Sequence, residues 1–105
     1  MEKFEYFNEL MPFYQSLLTE RQNEILQYYY FEDLSITEIA ELLSISRNAV
    51  HDTLKKSTSQ ITKYEEKLGL YSSYKKRMKL FEQLKLLDIN QVDNIVNELI
   101  NMEDQ

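Results

Sequence analysis

Residues 35–56 read SITEIAELLSISRNAVHDTLKK. Ser35-Ile36-Thr37-Glu38 is a capping box, a hydroxyl side chain followed three positions later by a carboxylate. It opens a short helix with Ile36, Ile39, Ala40 and Leu43 on its inner face. Ser46 is the next N-cap candidate, which leaves only Ser44-Ile45 for a turn. Two short helices crossing steeply share little surface, so every touching position must be apolar and one must be very small. Ile39, Leu43, Ile45 and Val50 meet the first demand and Ala40 the second. Ser44 departs from the pattern, because such turns favour glycine for its positive φ. The spacing is that of a helix-turn-helix.

The flanks continue the helical period. Upstream, Thr19-Glu20-Arg21-Gln22 is a further capping box, and the helix behind it presents Ile25, Leu26, Tyr29 and Tyr30 and ends near Phe31, with Asp33 able to take the turn. Before it, Phe4, Phe7, Leu10, Met11, Tyr14, Leu17 and Leu18 recur at helical steps, with Pro12 marking a kink or a fresh start. Downstream, Val50, Leu54, Ser57, Ile61, Tyr64 and Leu68 lie at steps of four and three, which predicts one long helix closed by a left-handed Gly69. Tyr71, Tyr74, Met78, Phe81 and Leu84 carry a helix to about Leu87, and Asn90 is expected to cap a last one bearing Val92, Ile95, Val96, Leu99 and Ile100.

Composition excludes most other functions. In 105 residues there is one Gly, one Pro, one His and no Cys. That rules out many-stranded β folds, Gly-rich phosphate loops, disulfide frameworks and thiol chemistry, and it points to a non-enzymatic intracellular chain without cofactor or metal. No apolar run approaches a membrane span. The net charge of −6 hides a strong dipole. Residues 1–46 carry −7, residues 47–87 carry +6, and residues 88–105 carry −5. Local field rather than total charge governs docking to a polyanion, so the basic middle is a candidate surface.

With Val50 and Leu54 turned inward, Arg47, Asn48, His51, Asp52 and Lys55 face outward. Arg47 suits guanine or phosphate, Asn48 adenine, and Lys55 and Lys56 phosphate. The helix starts at Ser35 and Ser46 offer backbone N–H groups to phosphates. Asp52 opposes phosphate and helps only by accepting from a cytosine amino group. His51 stands alone and reads as a surface or groove contact. Tyr28-Tyr29-Tyr30-Phe31 reads as core packing with one exposed ring, and Lys75, Lys76, Arg77 and Lys79 read equally as a solvated face or a grip on RNA or an acidic partner.

The stretch LTERQNEILQYYYFEDLSITEIAELLSISRNAVHDTLKK, Leu18 to Lys56, resembles the fourth region of bacterial sigma factors. With the lead FYQSLLTERQ, the core SISRNAVHD and the later YEEKLGLYSSY, the chain is similar to the YlxM-like family of small helix-turn-helix proteins over roughly residues 10–75. That likeness implies a cytoplasmic regulator accessory to the signal recognition particle pathway. The expected fold is all-α, a sigma region 4-like helix-turn-helix of the homeodomain-like or winged-helix-like class, with an extended recognition helix and a C-terminal helical extension. It is expected to form a single domain over 1–105, divided as 1–18, 19–68 and 69–105. Ser35, Ser46, Arg47, Asn48, His51, Lys55 and Lys56 are the expected nucleic-acid contacts, on DNA or RNA, in a homodimer reading two half-sites. The alternative is a protein–protein adaptor that keeps the scaffold and has lost nucleic-acid binding.

Overall fold

The computed structural model describes residues 2–104, and every regular element among them is helical. The described chain runs through α1 (Glu2–Tyr14), α2 (Glu20–Leu26), α3 (Ile36–Leu43), α4 (Arg47–Leu68), α5 (Leu70–Lys85) and α6 (Asn90–Glu103). It forms two compact units, one ending at Leu68 and the other beginning at Gly69.

In the first unit the caps fall where the hydroxyls stand. The Gln22 amide donates to the Thr19 hydroxyl at 3.1 Å, and the Thr19 amide donates to the Gln22 side chain at 3.0 Å. Ser35 and Glu38 form the same reciprocal pair at 3.1 and 3.0 Å. The Ala49 amide donates to the Ser46 hydroxyl at 3.0 Å, which starts α4. Each bond satisfies a backbone donor that a helix start leaves without a partner.

The turn between α3 and α4 closes as a Schellman motif. Ser44 is left-handed (φ 54°, ψ 44°), the Ile45 amide donates to the Ala40 carbonyl at 3.0 Å, and the Ser44 amide donates to the Glu41 carbonyl at 3.3 Å. Ser44 therefore occupies the backbone region that glycine tolerates best. Gly69 (φ 60°) and Asp33 (φ 56°) are left-handed as well.

The core of this unit is built around α4. Val50, Leu54, Ser57 and Ile61 form its buried spine. Leu10, Met11 and Tyr14 of α1, Ile25 and Leu26 of α2, and Ile39 and Ala40 of α3 complete the buried set. The expected seam ends early, for Leu68 is 54% exposed. Ser57 is fully buried and its hydroxyl has no hydrogen-bond partner among the described residues, so a small side chain is kept there at some cost in polarity. The Tyr14 ring stacks on Tyr64 with centroids 6.0 Å apart, and its hydroxyl donates to Glu65, which ties the end of α1 to the later turns of α4.

Three local details differ from the sequence reading. The α1 helix continues two residues beyond Pro12 and then tightens into a 3₁₀ turn at Gln15–Leu17. The α2 helix does not end as an ordinary α-helix but widens into a π turn over Gln27–Phe31. Phe4 meets both Tyr29 (5.5 Å) and Tyr30 (5.1 Å), so neighbouring tyrosines share one aromatic cluster while Phe31 stays exposed. Ile89, not Asn90, is the N-cap of α6, and no side chain caps that helix.

In the second unit Tyr71, Phe81 and Val96 are buried. Arg77 pairs with Glu103 through two hydrogen bonds, the Nη2 to Oε1 contact being 3.0 Å.

Replacing Ser44 by glycine removes the left-handed strain, about 1–2 kcal/mol, and adds the backbone entropy loss of glycine, about 0.5–1 kcal/mol. Ser44→Gly is therefore expected to raise unfolding stability by about 0.5–1 kcal/mol in urea titration, and a loss of stability would mean that the hydroxyl serves the turn.

Candidate nucleic-acid interface

The short turn fixes the roll of α4. With Val50 and Leu54 held in the core, Arg47, Asn48, His51, Asp52, Lys55 and Lys56 are exposed along one side of the helix. Ser46 sits at its start with its hydroxyl bonded to the Ala49 amide. Six of the seven expected contacts thus line one continuous helical surface.

Ser35 stands apart at the start of α3, and its surroundings are anionic. Its hydroxyl accepts from the Glu38 amide, and the Glu38 carboxylate accepts from the Ser35 amide. Those bonds, the backbone one first, hold the Glu38 carboxyl below the ordinary carboxylate value. A carboxylate already placed at this helix end opposes a phosphate there. Ser35 is a cap in this geometry, and the cationic face belongs to α4.

Among the described residues Arg47, Lys55, Lys56 and Lys63 form no ion pair. Their charge is directed to solvent rather than neutralised. His51 Nδ1 lies 4.0 Å from Asp52 Oδ1, but both side chains are mostly exposed (62% and 72%), so the pairing is weak. Asp52 remains the one acidic side chain on this stretch of the helix.

Two depressions flank Lys55. A groove of about 500 Å³ is lined by Gln22, Asp52, Lys55, Lys56, Ser59, Gln60 and Lys63. Gln22 Nε2 donates to Gln60 Oε1 at 2.7 Å and ties α2 to α4 beside it. The second depression, about 210 Å³, lies among Tyr29, Tyr30, Ile36, His51, Leu54, Lys55 and Thr58. Burial, and secondarily Tyr29, raises the Tyr30 hydroxyl above the usual tyrosine value, so Tyr30 is a neutral donor at physiological pH.

Sequence reading stopped at Lys56 and missed Ser59, Gln60 and Lys63. Their signal was present in the helical period, because Ser59 and Lys63 follow Lys55 at four and eight residues and Gln60 follows Lys56 at four. Gln22 had been read only as part of a capping box, and its side chain serves both roles. The groove offers cations and neutral polar groups at steps of one helical turn, which suits a strand of phosphates. Among the described residues no group of three or more His, Asp or Glu side chains could hold a metal ion, and no helix is long and apolar enough to cross a membrane.

Residues 1–101 match the family model described as "Putative helix-turn-helix protein, YlxM / p13 like". The chain belongs to that family. A UPF0122 protein of Oceanobacillus iheyensis is 46% identical over 87 residues, covering 83% of each chain. One from Desulforamulus reducens is 51% identical over 89 residues, covering 84% of this chain and 76% of its own. One from Listeria innocua is 46% identical over 83 residues, covering 79% and 76%. The all-α helix-turn-helix fold and the family membership agree with each other.

The depressed Glu38 carboxyl fixes a sign for pH dependence. A group whose folded value lies below its unfolded value stabilises the fold above the unfolded value, about 4.3, and loses that contribution as pH falls through the folded one. Urea midpoints of the wild type should therefore fall between about pH 5 and pH 3. Glu38→Gln, which can still accept from the Ser35 amide as Gln22 does from Thr19, should show a smaller fall. Equal falls in both proteins would contradict this assignment.

Proposed function

We propose that this protein is a non-enzymatic, nucleic-acid-binding regulator that docks the outward face of α4 on duplex DNA. The observation that carries the reading is the run of unpaired cations on a helix whose roll is fixed by its turn: Arg47, Lys55, Lys56 and Lys63. A lone helix of this width fits the major groove of B-DNA, whereas the major groove of A-form RNA is too narrow to admit it. In this reading Arg47, Asn48 and His51 reach base edges near the start of α4. Lys55, Lys56 and Lys63 hold phosphates, and Ser46 orients the helix start toward one. Asp52 restricts the site by rejecting positions where it would face phosphate or a base acceptor.

The acidic remainder of the chain supports orientation as well as selectivity. Residues 1–46 and 88–105 repel a polyanion while residues 47–87 attract it, so approach is steered to one side. We also propose a homodimer, in which two copies of α4 read two half-sites, and a cytoplasmic location, supported by the absence of cysteine. The biological setting we infer, an accessory role in the signal recognition particle pathway, is supported by the family likeness. A particle RNA or protein recovered with the chain from its native cell would bear on that setting directly.

The adaptor reading keeps one favourable observation, the acidic pair formed by Asp52 on the face and Glu38 at the start of α3. An Arg47→Ala, Lys55→Ala variant separates the two readings. Wild type should bind a 30-base-pair duplex in about 50 mM salt, with affinity falling steeply as salt rises. The variant should bind at least about tenfold more weakly, and its log–log salt slope should shrink by about 2, one for each lost phosphate or base-edge cation. No wild-type affinity above that of an acidic control protein would sink the DNA reading and favour the adaptor. Tighter binding to an RNA hairpin would redirect the partner to RNA.

A further inference from the structure

The unit beginning at Gly69 is two helices, α5 and α6, with a short connection between them. Units of fewer than about 40 residues rarely bury enough apolar surface to stand alone, and they rely on disulfides, metals or association. This one has no cysteine, and no metal-binding cluster occurs among the described residues. Buried here are Tyr71, Phe81 and Val96, while a larger apolar set faces outward.

That outward set is organised. Leu80 (57% exposed) and Leu84 (38%) follow Arg77 at three and seven residues, on one ridge of α5. Leu99 (38%) and Ile95 (59%) precede Glu103 at four and eight residues, on one ridge of α6. Arg77 and Glu103 are joined by hydrogen bonds, so the two ridges flank the same side of the helix pair. Met102 (67%) extends the α6 ridge, and Leu86 (84%) lies exposed in the connection. The result is a two-helix apolar face far more continuous than scattered surface leucines would make.

Charge selects the occupant. Helix α5 carries Lys75, Lys76, Arg77, Lys79 and Lys85 against Glu82, a net +4, whereas residues 88–104 carry five acidic side chains and no basic one. A surface that is basic on one ridge and acidic on the other complements a copy of itself turned by a two-fold axis. Each α5 then lies against the α6 of the other copy, which is the self-complementarity a symmetric dimer requires. The alternative registration, α5 on α5, would oppose +4 with +4.

We propose that this face docks a second copy of the chain, hairpin on hairpin, to make a four-helix bundle with α5 of each copy against α6 of the other. This assigns a surface to the homodimer of the proposed function and rests on that part of it, not on the nucleic-acid contacts.

The test uses the full-length chain in sedimentation equilibrium from about 1 to 100 μM, a range that brackets weak homodimers. Wild type should sediment at twice the 12.7 kDa chain mass over the upper part of this range. Leu84→Glu and, separately, Leu99→Gln should weaken self-association at least about a hundredfold while retaining the wild-type helical circular dichroism, since both positions are solvent-facing in the single chain. Lys79→Glu with Glu98→Lys should associate better than either single reversal. A wild type that stays monomeric throughout overturns both the dimer and this surface. A wild-type dimer that persists in both leucine variants overturns this surface alone and leaves the dimer standing. Duplex binding measured on the monomeric variants reads the nucleic-acid face independently: a weak residual single-site affinity is expected, and its complete loss would count against a surface separate from α4.

Discussion

The tight crossing of α3 and α4 is the constraint on which the candidate site depends. Ser44 adopts a left-handed backbone, the Ile45 amide reaches back to the Ala40 carbonyl, and Ser46 then caps the next helix. With so few residues between them, the roll of α4 cannot vary freely. Ala40 stays small where the helices approach, and Val50 and Leu54 are drawn into the core. The opposite side of α4 is exposed as a consequence, and that is where the cations lie.

A single long helix thus does two jobs that its sequence keeps apart by period. The positions at steps of four and three, Val50 to Ile61, form the spine of the first unit. The intervening positions carry Arg47, Lys55, Lys56 and Lys63 outward. Neither job compromises the other, because burial is satisfied on one face and hydration on the other. The buried Ser57 is the exception on the spine. Its unpartnered hydroxyl shows that steric closeness there outweighs polarity.

Most of the fold was legible because its signals are local. Hydroxyl–carboxylate and hydroxyl–amide pairs three residues apart announced two helix starts, and the structure forms both boxes. The αL residue at Gly69 followed from glycine itself. What escaped was set by packing between distant segments. The π turn at Gln27–Phe31 accompanies an aromatic cluster with Phe4 and Phe7, residues more than twenty positions away, and no pattern within the tyrosine run signals it. The groove beside Lys55 was missed for a similar reason, since it needs Gln22 of α2 brought against Gln60 of α4. At Asn90 a good capping residue lies one position inside the helix, because Asp88 turns left-handed and Ile89 takes the cap position.

The central claim is that a polyanion meets the protein along the outward side of α4. Backbone amide chemical shifts followed by NMR during titration with a short DNA duplex test it residue by residue. The account predicts that the largest changes run from Ser46 to Lys63 and spare the acidic faces of α1 and α6. Changes concentrated on other helices, with 46–63 undisturbed at saturation, would contradict it.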